Sequence, residues 1–324
     1  MTTYKEIFGK YVKNYSSDPT ADAEGQIWYN TTSGTFKSEV LVAAVWASGG
    51  NMTTAKRWNA GAGTQTLALG FGAYNPTVLT STEEYNGSTW GPGGNLNTAR
   101  GFGGGAGTQT AAVAFGGISA VPITRTNATE KYNGTTWTTS GNMNTTRSGM
   151  ASAGTQTAGL SSGGTTGTGV ASTESYNGST WTSVNSMNTA RQALAGAGTL
   201  TAALGFGGYV TGSGSYAGET EEWDGTNWTS VSPMNTLRGN LAGCGNQTAA
   251  LGAGGFPNPR GTSTELYNGT SWSTSASMGT GRYGLAGAGT QTAGVVFGGS
   301  PPPGVTNTEE FTGATLTVKT ITTS

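Results

Sequence analysis

A single unit recurs six times along this 324-residue chain, and its period limits the fold more than any one residue does. In one copy it reads Gly107-Thr108-Gln109-Thr110, Phe115-Gly116-Gly117, Thr129-Glu130, Tyr132-Asn133-Gly134, Trp137, Met143 and Arg147. The methionine of the unit, once a leucine, falls at Met52, Leu96, Met143, Met187, Met234 and Met278. Successive copies therefore lie 44, 47, 44, 47 and 44 residues apart. A period in the mid-forties, with paired glycines and one tryptophan per unit, predicts a β-propeller rather than a helical solenoid.

Each copy divides into four short strands. Gly101–Gly107 is a Gly/Ala stretch suited to an innermost strand, Ala111–Phe115 a second, Thr129–Tyr132 a third and Thr135–Ser140 a fourth. Asn86-Gly87, Asn133-Gly134, Asn177-Gly178, Asp224-Gly225 and Asn268-Gly269 predict type I′ hairpin turns, degraded to Thr312-Gly313 in the last copy. Trp90, Trp137, Trp181, Trp228 and Trp272 each stand five residues after Tyr85, Tyr132, Tyr176, Trp223 and Tyr267, and are expected to pack between blades. For the last blade, Trp46–Asn51 and Leu316–Ile321 compete for the fourth strand; either one of them is a fifth, edge strand, or the N-terminal hairpin joins a partial seventh blade. The preferred reading is all-β, a six-bladed propeller over residues 46–324. A short N-terminal extension, residues 1–45, carries a hairpin (Gln26–Asn30, Thr35–Lys37) and a possible helix at Tyr4–Val12.

Charge and composition close off several functions. Charged residues make up 10% and the net charge is −1, no footprint for nucleic acid or an anionic membrane. The longest apolar run, Val40–Trp46, is too short to span a bilayer. Met1–Ser17 holds no apolar core of signal-peptide length, so neither membrane insertion nor a cleaved signal is expected. The one cysteine, Cys244, occupies a place held by Ala62, Ala106, Ala197 and Ala288, and reads as a small buried residue. With no histidine, histidine-based acid–base, triad and zinc chemistry is excluded. Gly103–Gly107 lacks the following lysine and helix of a phosphate loop. Neither a metal nor a cofactor is expected.

Carboxylates remain as catalytic candidates, but Glu83, Glu130, Glu174, Glu221, Glu265 and Glu309 are one repeated position. Six equivalents point to structure, in partnership with a repeated basic position read as Arg57, Arg100, Arg147, Arg191, Arg238 and Arg282. The alternative is a ring of guanidinium groups at the channel mouth, forking onto sulfate or carboxylate. One segment varies freely between copies: Tyr74–Ser81, Ile118–Ala128, Thr165–Ser172, Tyr209–Glu219, Phe256–Ser263 and Ser300–Asn307. Diverse loops on a rigid ring are how binding surfaces are built, and Tyr74, Tyr209, Tyr216, Phe256, Arg260 and Pro302 are the candidate contact residues.

The glycine pair, the later tyrosine, the tryptophan after a hairpin and the arginine opening the next unit together resemble kelch repeats from Trp46 to about Leu316. The variant with Tyr-Asn-Gly-Ser-Thr-Trp and Met-Asn-Thr-Ala-Arg is similar to kelch-like proteins of marine tailed phages, cyanophages among them. Thr3–Ile7, Ser17-Asp18-Pro19 and Glu24–Asn30 resemble a leader common to virion proteins of such phages. The resemblance implies a non-enzymatic virion component, a tail fibre or tail-associated adhesin. It would contact host surface glycan or protein through the loops and other virion proteins through residues 1–45, as a homo-oligomer in the particle. A glycan-active enzyme using loop-face carboxylates and a purely structural decoration protein are the alternatives.

Overall fold

A computed structural model describes residues 12–19, 26–256 and 261–322, and every regular element among them is a β-strand. The helix expected at Tyr4–Val12 lies outside the described residues apart from Val12, which belongs to no element. No helix among the described residues is long and apolar enough to cross a membrane. The chain parts into two compact units, Met1–Val45 with Gly313–Ser324, and Trp46–Thr312.

Among the described residues of the larger unit, each repeat copy forms one four-stranded sheet. The first sheet runs Ala60–Gly63, Ala68–Tyr74, Val78–Tyr85, Trp90–Pro92, and the second Gly104–Gly107, Ala112–Phe115, Thr129–Tyr132, Trp137–Ser140. The third is Ala151–Thr155, Ala158–Ser162, Thr173–Tyr176, Trp181–Val184; the fourth is Ala195–Gly198, Ala203–Phe206, Thr220–Trp223, Trp228–Val231. The fifth is Ala242–Asn246, Ala249–Ala253, Thr264–Tyr267, Trp272–Thr274. The sixth joins Ala286–Gly289, Ala293–Phe297 and Thr308–Thr312 to Val45–Ser48 from the other end of the sequence. The first strand of each sheet touches that of the next, and the sixth touches the first. These strands are Gly/Ala-rich because a methyl at Gly105 would stand 3.0 Å from the Gly61 carbonyl oxygen, and one at Gly243 2.9 Å from that of Gly196.

Large side chains fill the space between consecutive sheets. Leu69 and Phe71 of the first sheet cluster with Tyr132 and Trp137 of the second, and Trp90 of the first clusters with Val295 and Phe297 of the sixth. The indole N–H of the tryptophan repeated in each fourth strand donates to a threonine hydroxyl of the preceding sheet: Trp90 to Thr308, Trp137 to Thr82, Trp181 to Thr129, Trp228 to Thr173 and Trp272 to Thr220, at 2.9–3.1 Å. Trp46 makes the sixth such bond, to Thr264 at 3.0 Å. Gln65, Gln109, Gln156, Gln247 and Gln291 each donate to two backbone carbonyls of the preceding sheet, for example Gln109 to Ala68 and Tyr85.

Two expectations are corrected. The Asn-Gly turns are not type I′. Tyr85 pairs with Trp90, so four residues form the loop, and the glycine is its left-handed residue, Gly87 at φ 89°. Asn86 closes it by accepting the Ser88 and Thr89 N–H groups on Oδ1 at 3.0 and 2.8 Å. This Asx geometry explains why Asp224 substitutes freely. Secondly, the competition for the last fourth strand resolves in favour of the N-terminal segment, Val45–Ser48. The C-terminal strand Thr315–Thr320, read from sequence as part of the 46–324 propeller, pairs instead with Thr35–Val42.

In the smaller unit, the order is Lys13–Tyr15, Ile27–Asn30, Thr35–Val42, Thr315–Thr320, with the first pair parallel. The hairpin's second strand runs on to Val42, past the expected Lys37. Asp18 accepts hydrogen bonds from Trp28, Asn30 and Lys37 at 3.2, 2.8 and 3.1 Å.

Candidate functional site

The repeated basic and acidic residues form buried pairs. Arg147–Glu174, Arg191–Glu221, Arg238–Glu265 and Arg282–Glu309 lie at 3.1, 2.9, 3.2 and 2.8 Å, and Arg100 pairs with Glu130 in the same way. Burial pulls the Arg238 guanidinium down to about 10, against the upward pull of Glu265, and lowers the other four in the same direction. The other terminal nitrogen of each guanidinium, Nη1, clamps the two ends of the variable loop, while Nε is buried without a partner: Arg238 donates to the Gly254 and Ser263 carbonyls at 2.8 and 2.7 Å, Arg282 to Gly298 and Asn307 at 2.8 Å each. Each glutamate also accepts backbone N–H bonds from the linker entering its sheet, as Glu174 does from Asn144 and Thr145. The guanidinium groups are thus buried and engaged, not a ring presented to an anion.

Arg57 does not belong to this set. Its structural counterpart is Lys56, fully buried and 3.1 Å from Glu83. Arg57, one residue on, lies with its guanidinium carbon 4.9 Å from the Trp58 ring centre and 4.8 Å from that of Tyr74. This stacking is a cation–π arrangement.

Just beyond each basic residue the chain makes a closed collar. Trp58, Phe102, Gly149, Ala193, Asn240 and Gly284 are equivalent, and all six adopt φ between 53° and 65°. The N–H of each donates to the carbonyl of its counterpart in the preceding copy at 2.6–2.8 Å, and Trp58 donates to Gly284, completing the cycle. The residue before each collar member bridges to the start of a variable loop, Arg57 to Tyr74 and Gln192 to Tyr209 for example, so the collar and these loops share one end of the sheets. Left-handed backbone costs a non-glycine residue about 1–2 kcal/mol. Trp and Phe in that conformation therefore mark a place where the side chain matters more than the strain.

Aromatic rings spread from the collar across this end. Trp58 lies 5.5 Å from Phe102 and 5.6 Å from Tyr74 between ring centres. Tyr209, Tyr216, Phe256 and Tyr283 form a second run, each 5.4 Å from the next. At the collar lies a cavity of about 140 Å³, lined by its six members and by glycines and alanines of the first strands. Trp58 Nε1, Asn240 Oδ1 and both side-chain polar atoms of Asn59 are buried without a hydrogen-bond partner, and all three residues line it.

Tyr74, Tyr209, Tyr216 and Phe256, inferred from sequence, thus stand among these rings, whereas Pro302 is exposed in a turn and Arg260 lies outside the described residues. Sequence reading missed Trp58, Phe102, Tyr283, Asn59 and Asn240. Their signal was variation inside an otherwise constant linker. Cys244 is buried, and burial pushes its thiol up to about 12. Among the described residues no cluster of histidine, cysteine, aspartate or glutamate is placed to hold a metal.

No protein-family model matches the chain, and no curated protein matches it. Among solved structures it is similar to that of YjhT, with a TM-score of 0.68 and 13% identity over 82% of this chain and 99% of that one. At that identity the likeness is one of fold, and together with the four-stranded antiparallel sheets it places this chain among all-β, propeller-type structures.

Proposed function

We propose that the chain is a six-bladed kelch-like propeller that acts as a non-enzymatic virion protein, a tail fibre or tail-associated adhesin. It binds host surface glycan or protein through the end that carries the collar and the variable loops. The observation that carries the binding reading is the concentration of Arg57, Trp58, Tyr74 and Phe102, with Tyr209, Tyr216, Phe256 and Tyr283, on that one end. Aromatic and arginine side chains dominate contact energetics elsewhere. The buried arginines fix both ends of five of the six loops, so loop sequence can change without disturbing the sheets. The six loops contain one carboxylate, Glu219, whereas glycoside hydrolysis of the usual kind needs two flanking the bond.

The phage assignment rests on the resemblance in the repeat and in residues 3–30. Mass spectrometry of purified particles should find the protein; its absence there refutes the virion reading. Replacing Tyr209–Glu219 by the shorter Thr165–Ser172 should lower adsorption to host cells while the protein still assembles. Unchanged adsorption would place binding elsewhere.

A further inference from the structure

Resting on the binding reading above, we infer that Arg57 reads an anion, and that the ligand at the collar end is an acidic glycan whose carboxylate or sulfate oxygens take the open edge of its guanidinium fork. Three observations carry this. The first is that the fork is unengaged. Of the seven described arginines, Arg100, Arg147, Arg191, Arg238 and Arg282 are held by buried glutamates, and Arg125 donates through Nε to Ser148 Oγ at 3.2 Å. The Arg57 side chain makes neither an ion pair nor a hydrogen bond among the described residues. Its Nε is buried, but Nη1 and Nη2 are not, so two unbonded donor groups remain open to solvent.

The second is preorganisation. The guanidinium carbon rests 4.9 Å from the Trp58 ring centre and 4.8 Å from that of Tyr74. Stacking holds a guanidinium by its face and leaves its edge for a partner with two oxygens in one plane. The residues equivalent to Arg57 are Gly101, Ser148, Gln192, Gly239 and Tyr283, so the bridge from this place to the variable loop asks for no charge. Trp58 takes the left-handed collar conformation at φ 53°, which Gly149 and Gly284 take with no side chain. The strained residue thus supplies one of the two rings that hold the arginine.

The third is charge. The chain's net charge is −1, yet Arg57 and the six variable loops together hold three arginines, Arg57, Arg125 and Arg260, against one carboxylate, Glu219. A local excess of that sign draws anions to this end. One fork is a weak contact by itself, so the ligand has to present its oxyanion repeatedly, to the several copies a particle carries. An acidic polysaccharide does so on successive sugars, whereas the carboxylates of a folded protein stand interspersed with its own cations.

The test passes the full chain over surfaces coated with polygalacturonate, dextran sulfate, unmodified dextran and poly-glutamate. Polygalacturonate or dextran sulfate should bind, less as salt rises, and the one that binds identifies the oxyanion. Unmodified dextran should not. Arg57→Gln copies Gln192 and should keep the parent's melting temperature while weakening that binding by about tenfold, the scale of one charge-assisted bond. Arg57→Lys keeps the charge without the fork and should still bind about threefold more weakly than the parent. Lys319→Gln removes an exposed charge in the smaller unit and should change nothing. Four outcomes overturn the inference: no binding to either acidic glycan, equal binding to unmodified dextran, equal Arg57-dependent binding to poly-glutamate, or undiminished binding in Arg57→Gln. Arg57→Lys equal to the parent overturns the fork. Particle adsorption separates the two claims. Loop-dependent adsorption without Arg57-dependent glycan binding refutes the anion site alone. Arg57-dependent glycan binding with adsorption indifferent to both the loops and Arg57 refutes attachment alone.

Discussion

At the scale of single residues, the buried ion pairs carry structure rather than chemistry. Glu174 is 1% exposed and accepts from Arg147 and from two linker N–H groups, so Glu174→Ala leaves a buried cation and two amides unpaired. Urea unfolding should show a loss of about 3–5 kcal/mol. The first copy gives the pH dependence. Burial pushes the Glu83 carboxyl up, but the Lys56 charge and the Thr53 hydroxyl and N–H outweigh it and hold the pKa below the ordinary 4.5. A depressed carboxylate contributes stability that is present above its ordinary pKa and lost as pH falls through the folded value. Glu83→Gln should therefore flatten the acid limb of a melting-temperature profile; an unchanged limb would mean the pair is not what titrates. The conformational cost of the collar is tested most cleanly at Ala193, left-handed at φ 57° with only a methyl to lose. Ala193→Gly should raise stability by about 1 kcal/mol. The error at Arg57 was avoidable. Counting back one period of 44 from Arg100 lands on Lys56, and the nearest arginine drew the reading one residue off. The unpaired amide of Asn59, by contrast, is invisible until Gly298 is placed against it.

Among the elements, each sheet is held to its neighbour by the same small set of bonds, and the fourth sheet departs from it. Leu200 stands where five other copies have glutamine, so the two carbonyl bonds made by Gln156 or Gln247 have no counterpart there. Trp223 replaces the usual tyrosine in the same sheet, and its indole donates to the Leu200 carbonyl at 2.9 Å. The two departures touch, because Leu200 packs against the cluster that holds Trp223 and its carbonyl takes the indole bond. Leu200→Gln with Trp223→Tyr should therefore stabilise by about 1 kcal/mol, more than the sum of the single changes, in a double-mutant cycle. Strictly additive changes would show that the two positions do not interact. The strands themselves were legible because glycines, tryptophans and Asn-Gly pairs recur at fixed offsets. The turn type was not, because a dipeptide rule reads backbone preference alone. Here the asparagine side chain does the work of a backbone carbonyl.

For the larger unit as a whole, closure depends on one short strand taken from the other end of the sequence. Val45–Ser48 is the fourth strand of the sixth sheet, and Trp46 lies 5.1 Å from the Phe311 ring and donates to Thr264 and Ala276. Sequence showed Trp46 six residues before Met52, the spacing of Trp90 to Leu96, but could not choose between it and the C-terminal strand. The turn carried a signal: Thr312-Gly313 lacks the asparagine or aspartate that closes the other five loops, so the side-chain bonds that hold those hairpins have no counterpart there. Remove Val45–Ser48, and Thr308–Thr312 becomes an open edge beside an incomplete interface. A chain of residues 45–312 should melt cooperatively, whereas one of residues 52–312 should lose cooperativity or aggregate. Trp46→Ala in the longer chain should cost roughly 3 kcal/mol, the scale of a large aromatic truncation. A peptide of residues 45–51 added in trans should restore the shorter chain, since strand addition to an open edge supplies the same backbone bonds. Equal cooperativity in the two chains would show that the larger unit closes without this strand.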